Sequence, residues 1–277
     1  MSDGAQKTDK RLLTDETFFS LKRVDYDPFL EPEISGDNFK IKRTQSQGFP
    51  PKVKVWIKGS ILPGMATKVI SSIEKLKPTD TDPMRWIWLD VWISSPGGSV
   101  SDALKMGKYF REAYAVTDIP GNGQCLSSCV LVFVSGVMRI PGNNAKIGIH
   151  RPYLFRAKPN MDFEKDYQKS YQDLMDYLKE MRIPSALGDL MFSVPPEEMR
   201  ILDTDEFMTL IGLEDPVFNE ATVARDAHAR GISSFEYRRR KKLSGDLCFE
   251  GRMSNQIPSA EEYQRCDAAI MQGKSWP

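Results

Sequence analysis

The sequence predicts an α/β domain with largely parallel strands, carried between two polar extensions. Three observations support this. From Lys52 onward, stretches with the texture of strands alternate with stretches that read as helices. One strand segment, Arg85 to Ile93 (RWIWLDVWI), is apolar at nearly every position, as suits a strand covered on both faces. The junctions that follow strands are rich in Gly, Ser and His, and α/β sheets collect their sites at such junctions.

The elements follow in order. Residues 1–51 are polar, with scattered Pro, Gly and Asp, and read as an extended arm or a partly disordered extension. Val53, Val55 and Ile57 alternate with lysines, the period of a half-buried strand. Met65 to Leu76 reads as a helix with Ile70, Ile73 and Leu76 on one stripe. The apolar strand 85–93 runs into the turn Ser94-Ser95-Pro96-Gly97-Gly98. A helix then covers Ser99 to Tyr114, with Val100, Ala103, Leu104, Gly107 and Phe110 at three- and four-residue spacing. Ala115 to Ile119 is a short strand, and Pro120 to Gln124 a Gly-rich turn. Leu126 to Val137 reads as a buried helix, and Ala145 to Ile149 as a strand ending at His150. Met161 to Met181 is a long amphipathic helix with Tyr167, Tyr171, Leu174, Tyr177, Leu178 and Met181 on its apolar stripe. Short helices are expected over 186–215. The predicted domain spans 52–217, and 218–277 is a polar, less regular extension with one helix near Ala260 to Met271.

Composition narrows the function classes. The 277 residues carry 38 Lys+Arg against 38 Asp+Glu, so no global charge draws the chain to nucleic acid or an anionic surface. The local run Arg238 to Lys242 reads as a solvated helix face. No segment approaches the roughly 20 apolar residues of a membrane span. Met1 to Asp15 lacks the apolar stretch of a secretory signal, which leaves cytoplasmic and exported locations open, including export with a leader removed. The four cysteines fall in two local pairs, Cys125/Cys129 and Cys248/Cys266, without zinc-site spacing. Whether they are bridged stays open. No phosphate loop, dinucleotide fingerprint or metal cluster is present, so no cofactor is expected.

Three junctions carry chemistry. Gly123-Gln124-Cys125-Leu126-Ser127-Ser128-Cys129 sets two serines at a turn opening a buried helix, where one can cap the helix while the other reacts. The Pro96-Gly97-Gly98 turn offers backbone N–H groups and close approach to a substrate. His150 stands at a strand end, whereas the other histidine, His228, lies on an exposed helix.

Taken together, Ile93-Ser94-Ser95-Pro96-Gly97-Gly98-Ser99-Val100, Gly123-Gln124-x-x-Ser127 and Ile149-His150-Arg151-Pro152 resemble the proteolytic subunit of Clp protease and the related signal peptide peptidase A. The Cys125-x-Ser127-x-Cys129 pattern is most similar to a ClpP-like branch of exported bacterial proteins. The resemblance covers roughly residues 52–215 and includes the 23-residue spacing from Ser127 to His150. It implies a crotonase-type fold of repeated ββα units and a serine peptidase acting on a peptide or protein. Ser127 would be nucleophile, His150 general base, and the N–H groups of Gly98 and Ser128 the oxyanion hole. Helix 161–181 would hold a homo-oligomer together, or pack within its own domain. The third triad member departs from the family pattern. No Asp stands near Pro196, and Glu197 is the preferred candidate, with Glu198 and Asp189 as others and a Ser–His dyad as the remaining possibility. Two further readings stay open: an inactive binding or assembly module, and an acyl-CoA enzyme of crotonase type, against which the Ser127/His150 spacing argues.

Overall fold

A computed structural model describes residues 38–44, 51–79, 81, 87–152 and 163–276. The chain divides at Asp215/Pro216 into two compact units. The first is an α/β unit, the class expected from the sequence.

Its main sheet has five strands in the order β1 (Phe39–Thr44), β2 (Lys52–Lys58), β3 (Leu89–Ser94), β4 (Val116–Ile119) and β6 (Met138–Pro141). β1 is antiparallel to β2, and every later neighbour is parallel. A second sheet joins β5 (Gln124–Leu126), β7 (Lys146–Ile149) and β8 (Arg200–Leu202), with β5 and β7 parallel. Helices α1 (Met65–Leu76), α2 (Val100–Glu112), α3 (Cys129–Val134), α4 (Phe163–Glu180), α5 (Ala186–Ser193) and α6 (Thr204–Ile211) complete the unit. Two strands followed by a helix recur as β1-β2-α1, β4-β5-α3 and β6-β7-α4.

One continuous core runs through both sheets. Val53, Val55 and Ile57 on β2, Leu89, Val91 and Ile93 on β3, and all of α3 are buried in it. The stripe of α4 is used within this core: Leu174, Tyr177, Leu178 and Met181 are buried, and Tyr167 and Tyr171 pack edge-on against Phe192 with centroids 5.4 and 5.0 Å apart.

Several elements differ from the expectation. Residues 39–44, assigned to the polar arm, form β1 in full register with β2. Lys40 lies 5.5 Å over the Trp56 ring, and this packing lets a polar segment enter the sheet. The expected helix 126–137 is confined to Cys129–Val134, because 124–126 pairs with β7 and 138–141 with β4. Gly136 ends the helix where a Cβ would meet Thr117 Oγ1 at 2.3 Å. Residues 1–37 of the arm and the start of strand 85–93 lie outside the described residues.

A buried charge cluster fastens the end of the unit. Asp215, fully buried, accepts from Arg111 at 3.1 Å and from Arg182 at 3.1 Å. Arg139 gives its guanidinium to the carbonyls of Val134, Ile211 and Gly212. Burial lowers the Arg139 pKa to about 10, and neighbouring Arg111 adds to the shift.

The second unit, Pro216–Pro277, is more helical than its composition suggests. It holds α7 (Pro216–Ala229), α8 (Ser234–Ser244), a π-helical turn Gly245–Phe249, α9 (Glu250–Met253) and α10 (Ala260–Met271). The basic run lies on α8 as expected, and its charges are paired: Arg239 and Arg240 with Glu236, Arg238 with Glu220, and Lys242 with Asp246. His228 is exposed on α7. Cys248 and Cys266 form a disulfide at the centre of a small core with Ile257, Tyr263 and Ile270. No described helix is long and apolar enough to cross a membrane.

Candidate active site

The site is assembled where β3 and β5 end side by side. Ser95 and Cys125 form a parallel bridge between the two sheets: Ser95 N–H donates to Gln124 O at 2.7 Å, and Leu126 N–H donates to Ser95 O at 3.0 Å. Beyond the bridge the chain makes the Pro96-Gly97-Gly98 turn, where Gly97 has φ 93° and Gly98 φ 141°. A Cβ on Gly97 would lie 2.7 Å from Ser127 Cβ and 3.1 Å from the Ser128 nitrogen, so the double-Gly turn lies directly against the serine turn. Gly98 bridges to Ile61. Ile61 N–H donates to Gly97 O at 2.8 Å and Ser99 N–H donates to Ile61 O at 2.8 Å, so the N–H of Gly98 itself faces away from Ile61.

The far side of the turn opens α2. Ser99 caps that helix by accepting from Asp102 N–H at 3.3 Å, and Asp102 accepts from Ala66 N–H at 3.0 Å. Burial works against the Asp102 carboxylate, but hydrogen bonds from Ser99 and the Ala66 and Gly64 backbones hold its pKa below the ordinary 3.8. The carboxylate thereby ties α1 to the start of α2 beneath the turn.

Register explains the spacing between Ser127 and His150. β5 pairs with β7 at Gln124↔Lys146, Cys125↔Ile147 and Leu126↔Gly148. Ser127 N–H continues the ladder, donating to Gly148 O at 2.8 Å. A residue just past β5 therefore stands beside a residue just past β7. Ser127 Oγ and His150 Nε2 are 2.7 Å apart, across 23 residues of sequence.

The conformations at this point are unusual. Ser127 has φ 57°, a left-handed angle that costs an L-residue about 1–2 kcal/mol. Such strain persists where the surroundings over-determine it, and active sites are common places for it. Ser128 returns to φ −60° and opens α3. Its hydroxyl makes no capping bond, contrary to the capping role open to it in the sequence, and is buried with no hydrogen-bond partner among the described residues. His150 is only 6% exposed. Burial pushes its pKa below the ordinary 6.5, while a hydrogen bond with the backbone of Arg151 raises it in part. The balance favours the neutral imidazole, the form that can take a proton from Ser127 Oγ.

The expected carboxylates are placed differently. Glu197 and Glu198 are exposed in the turn after α5, and their side chains make no hydrogen bond or ion pair among the described residues. Asp189 is exposed on α5 and accepts from Tyr171 Oη at 2.7 Å. The structure thus brings together Ser127, His150 and the two abutting turns that carry Gly98 and Ser128, and hydrogen-bonds none of the three carboxylates to the imidazole. Sequence reasoning left undetermined a feature of the site itself: Cys125 and Cys129, on either side of Ser127, form a disulfide. The C-x-S-x-C pattern was the available signal. Among the described residues no cluster of His, Cys, Asp and Glu suits a metal ion.

The fold and this pair define an α/β protein with a hydrogen-bonded serine–histidine pair at the bridge between two sheets. Solved structures similar to it include two proteases. One is a mutant of the 1510-N membrane-bound stomatin-specific protease, with TM-score 0.45 and 12% identity, matched over 61% of this chain and 81% of that one. The other is a mutant of ClpP1 from Listeria monocytogenes, with TM-score 0.45 and 15% identity, matched over 60% of this chain and 93% of that one. No family model matches the chain, and no curated protein matches it by sequence.

Proposed function

We propose that the chain is a serine hydrolase, and within that class a peptidase, with Ser127 as nucleophile and His150 as general base. The observation that carries this reading is the 2.7 Å contact between Ser127 Oγ and His150 Nε2. Neutral His150 takes the hydroxyl proton as Oγ attacks a substrate carbonyl, then returns it to the leaving group. The N–H groups of Gly98 and Ser128 receive the developing oxyanion, and the 3.1 Å approach of a Gly97 Cβ position to Ser128 N supports their adjacency.

A second reading, a binding module that keeps the fold without turnover, draws support from the exposure of Glu197, Glu198 and Asp189. Intact-mass spectrometry after fluorophosphonate treatment separates the two. A single adduct on wild type, absent in Ser127→Ala and retained in Ser128→Ala, is expected. A folded wild type that takes no adduct favours the binding module, and labelling that survives Ser127→Ala but not Ser128→Ala reassigns the nucleophile.

A further inference from the structure

The turn that presents Ser127 is closed by a covalent bond. Cys125 on β5 and Cys129 at the first position of α3 are bridged across a separation of 4 residues, and both are fully buried. Ser127 is the midpoint of the closed loop and its one left-handed residue. Before it the chain is pinned to two strands, through Leu126 N–H to Ser95 O at 3.0 Å and Ser127 N–H to Gly148 O at 2.8 Å. After it the chain enters α3, where the bonds recorded are helical ones, Val130 N–H to Ser127 O and Leu131 N–H to Ser128 O. The disulfide is the tie between the pinned strand and the first helical residue.

We infer that Cys125 and Cys129 are positioning residues, and that their disulfide holds Ser127 in the left-handed conformation that points Oγ at His150 Nε2. This rests on the reading of Ser127 as nucleophile. Loop length argues for a local role. A cross-link restricts the unfolded chain by an amount that grows with the logarithm of the loop it closes. A separation of 4 is at the short end of that scale, against 18 for Cys248–Cys266. What the short bridge does restrict is the backbone of Leu126, Ser127 and Ser128. A serine displaced even slightly from its base loses much of its reactivity.

The test compares wild type, Cys125→Ala/Cys129→Ala and Cys248→Ala/Cys266→Ala, all held well below their melting temperatures. The readouts are fluorophosphonate labelling rate and backbone amide exchange. Labelling of the folded Cys125→Ala/Cys129→Ala protein is expected to slow by about tenfold or more, with no change in the other pair variant. Amide protection should be lost at Ser127 and its neighbours while the five-stranded sheet keeps its own. A bridge that only stabilises the fold leaves the labelling rate of fully folded protein unchanged, and that result overturns the inference while the proposed function stands. If wild type takes no label, the proposed function fails instead and amide exchange decides: loss confined to 124–129 supports a brace, and unchanged protection removes it.

Should the Cys125→Ala/Cys129→Ala protein not fold, wild type is followed during dithiothreitol treatment. Each bridge opened consumes one dithiol, which leaves as its own cyclic disulfide, and the protein gains two thiols. Labelling that falls in step with opening of the 125–129 bridge, read by peptide mass, supports the inference. Labelling that persists after that bridge has opened overturns it.

Discussion

Ser127 and His150 each sit in a state that their surroundings impose, and each state can be tested. At φ 57° the serine Cβ is crowded, whereas glycine adopts this angle freely. Glycine also gives up more chain entropy on folding, about 0.5–1 kcal/mol, which offsets part of the relief. Ser127→Gly should therefore melt at or above Ser127→Ala, and neither should label. Denaturant titrations in which Ser127→Gly is the weaker by about 1 kcal/mol or more would show that the left-handed angle is not native. For His150 the sign follows from burial, which holds its folded pKa below 6.5. His150 stays neutral through neutral pH, so with His150 as the proposed base the acid limb of the labelling rate should have its midpoint below 6.5. The unfolded chain binds this proton more readily than the folded one. The histidine therefore contributes a loss of stability that sets in as pH falls below 6.5 and is absent above it. A labelling midpoint above 6.5 would mean that a carboxylate holds the imidazolium in solution.

Among the elements, the Pro96-Gly97-Gly98 turn does most to set the site. A Cβ on Gly98 would meet Ile61 O at 2.3 Å, at a φ of 141° that L-residues rarely adopt. Gly98→Ala must break the Ile61 bridge or rotate the peptide that offers the Gly98 N–H. It should cost about 2–4 kcal/mol and slow labelling well beyond what its stability loss explains. A variant that folds and labels like wild type would remove Gly98 from the proposed oxyanion site. This turn was legible in the sequence because glycines, a proline and serines leave few alternatives between an apolar strand and an amphipathic helix. So was the serine–histidine spacing, which the β5–β7 register reproduces. The short strands were not. Gln124–Leu126, Met138–Pro141 and Arg200–Leu202 are three or four residues long, too short for a period, and are defined by distant partners. Helix α8 was legible only as the solvated face of its basic run, because its polar sequence is held by the Ser233 cap and by ion pairs three and four residues apart rather than by an apolar stripe. The acid partner was expected near Pro196, and Glu197, the candidate there, lies exposed in a turn.

At the scale of the molecule, the two units are built with different reserves. Met1–Asp215 contains a core shared by two sheets and six described helices, closed at its end by the Arg111–Asp215–Arg182 cluster. Pro216–Pro277 has two small clusters, one around Cys248 and Cys266 and one of Ala227, Tyr237 and Met271. A unit of roughly 60 residues buries too little surface to be robust on its core alone, and a cross-link then becomes a large share of its stability. The Cys248–Cys266 bridge closes a separation of 18, for which restriction of the unfolded chain is worth about 3 kcal/mol. Cys248→Ala/Cys266→Ala should therefore lower amide protection across Pro216–Pro277 by about that amount, leaving the protection of β2, β3 and β4 as it was. Loss of protection spread evenly over both units would mean that they unfold as one body. Retained protection in the second unit would mean that its helices are held by their caps and ion pairs without the bridge.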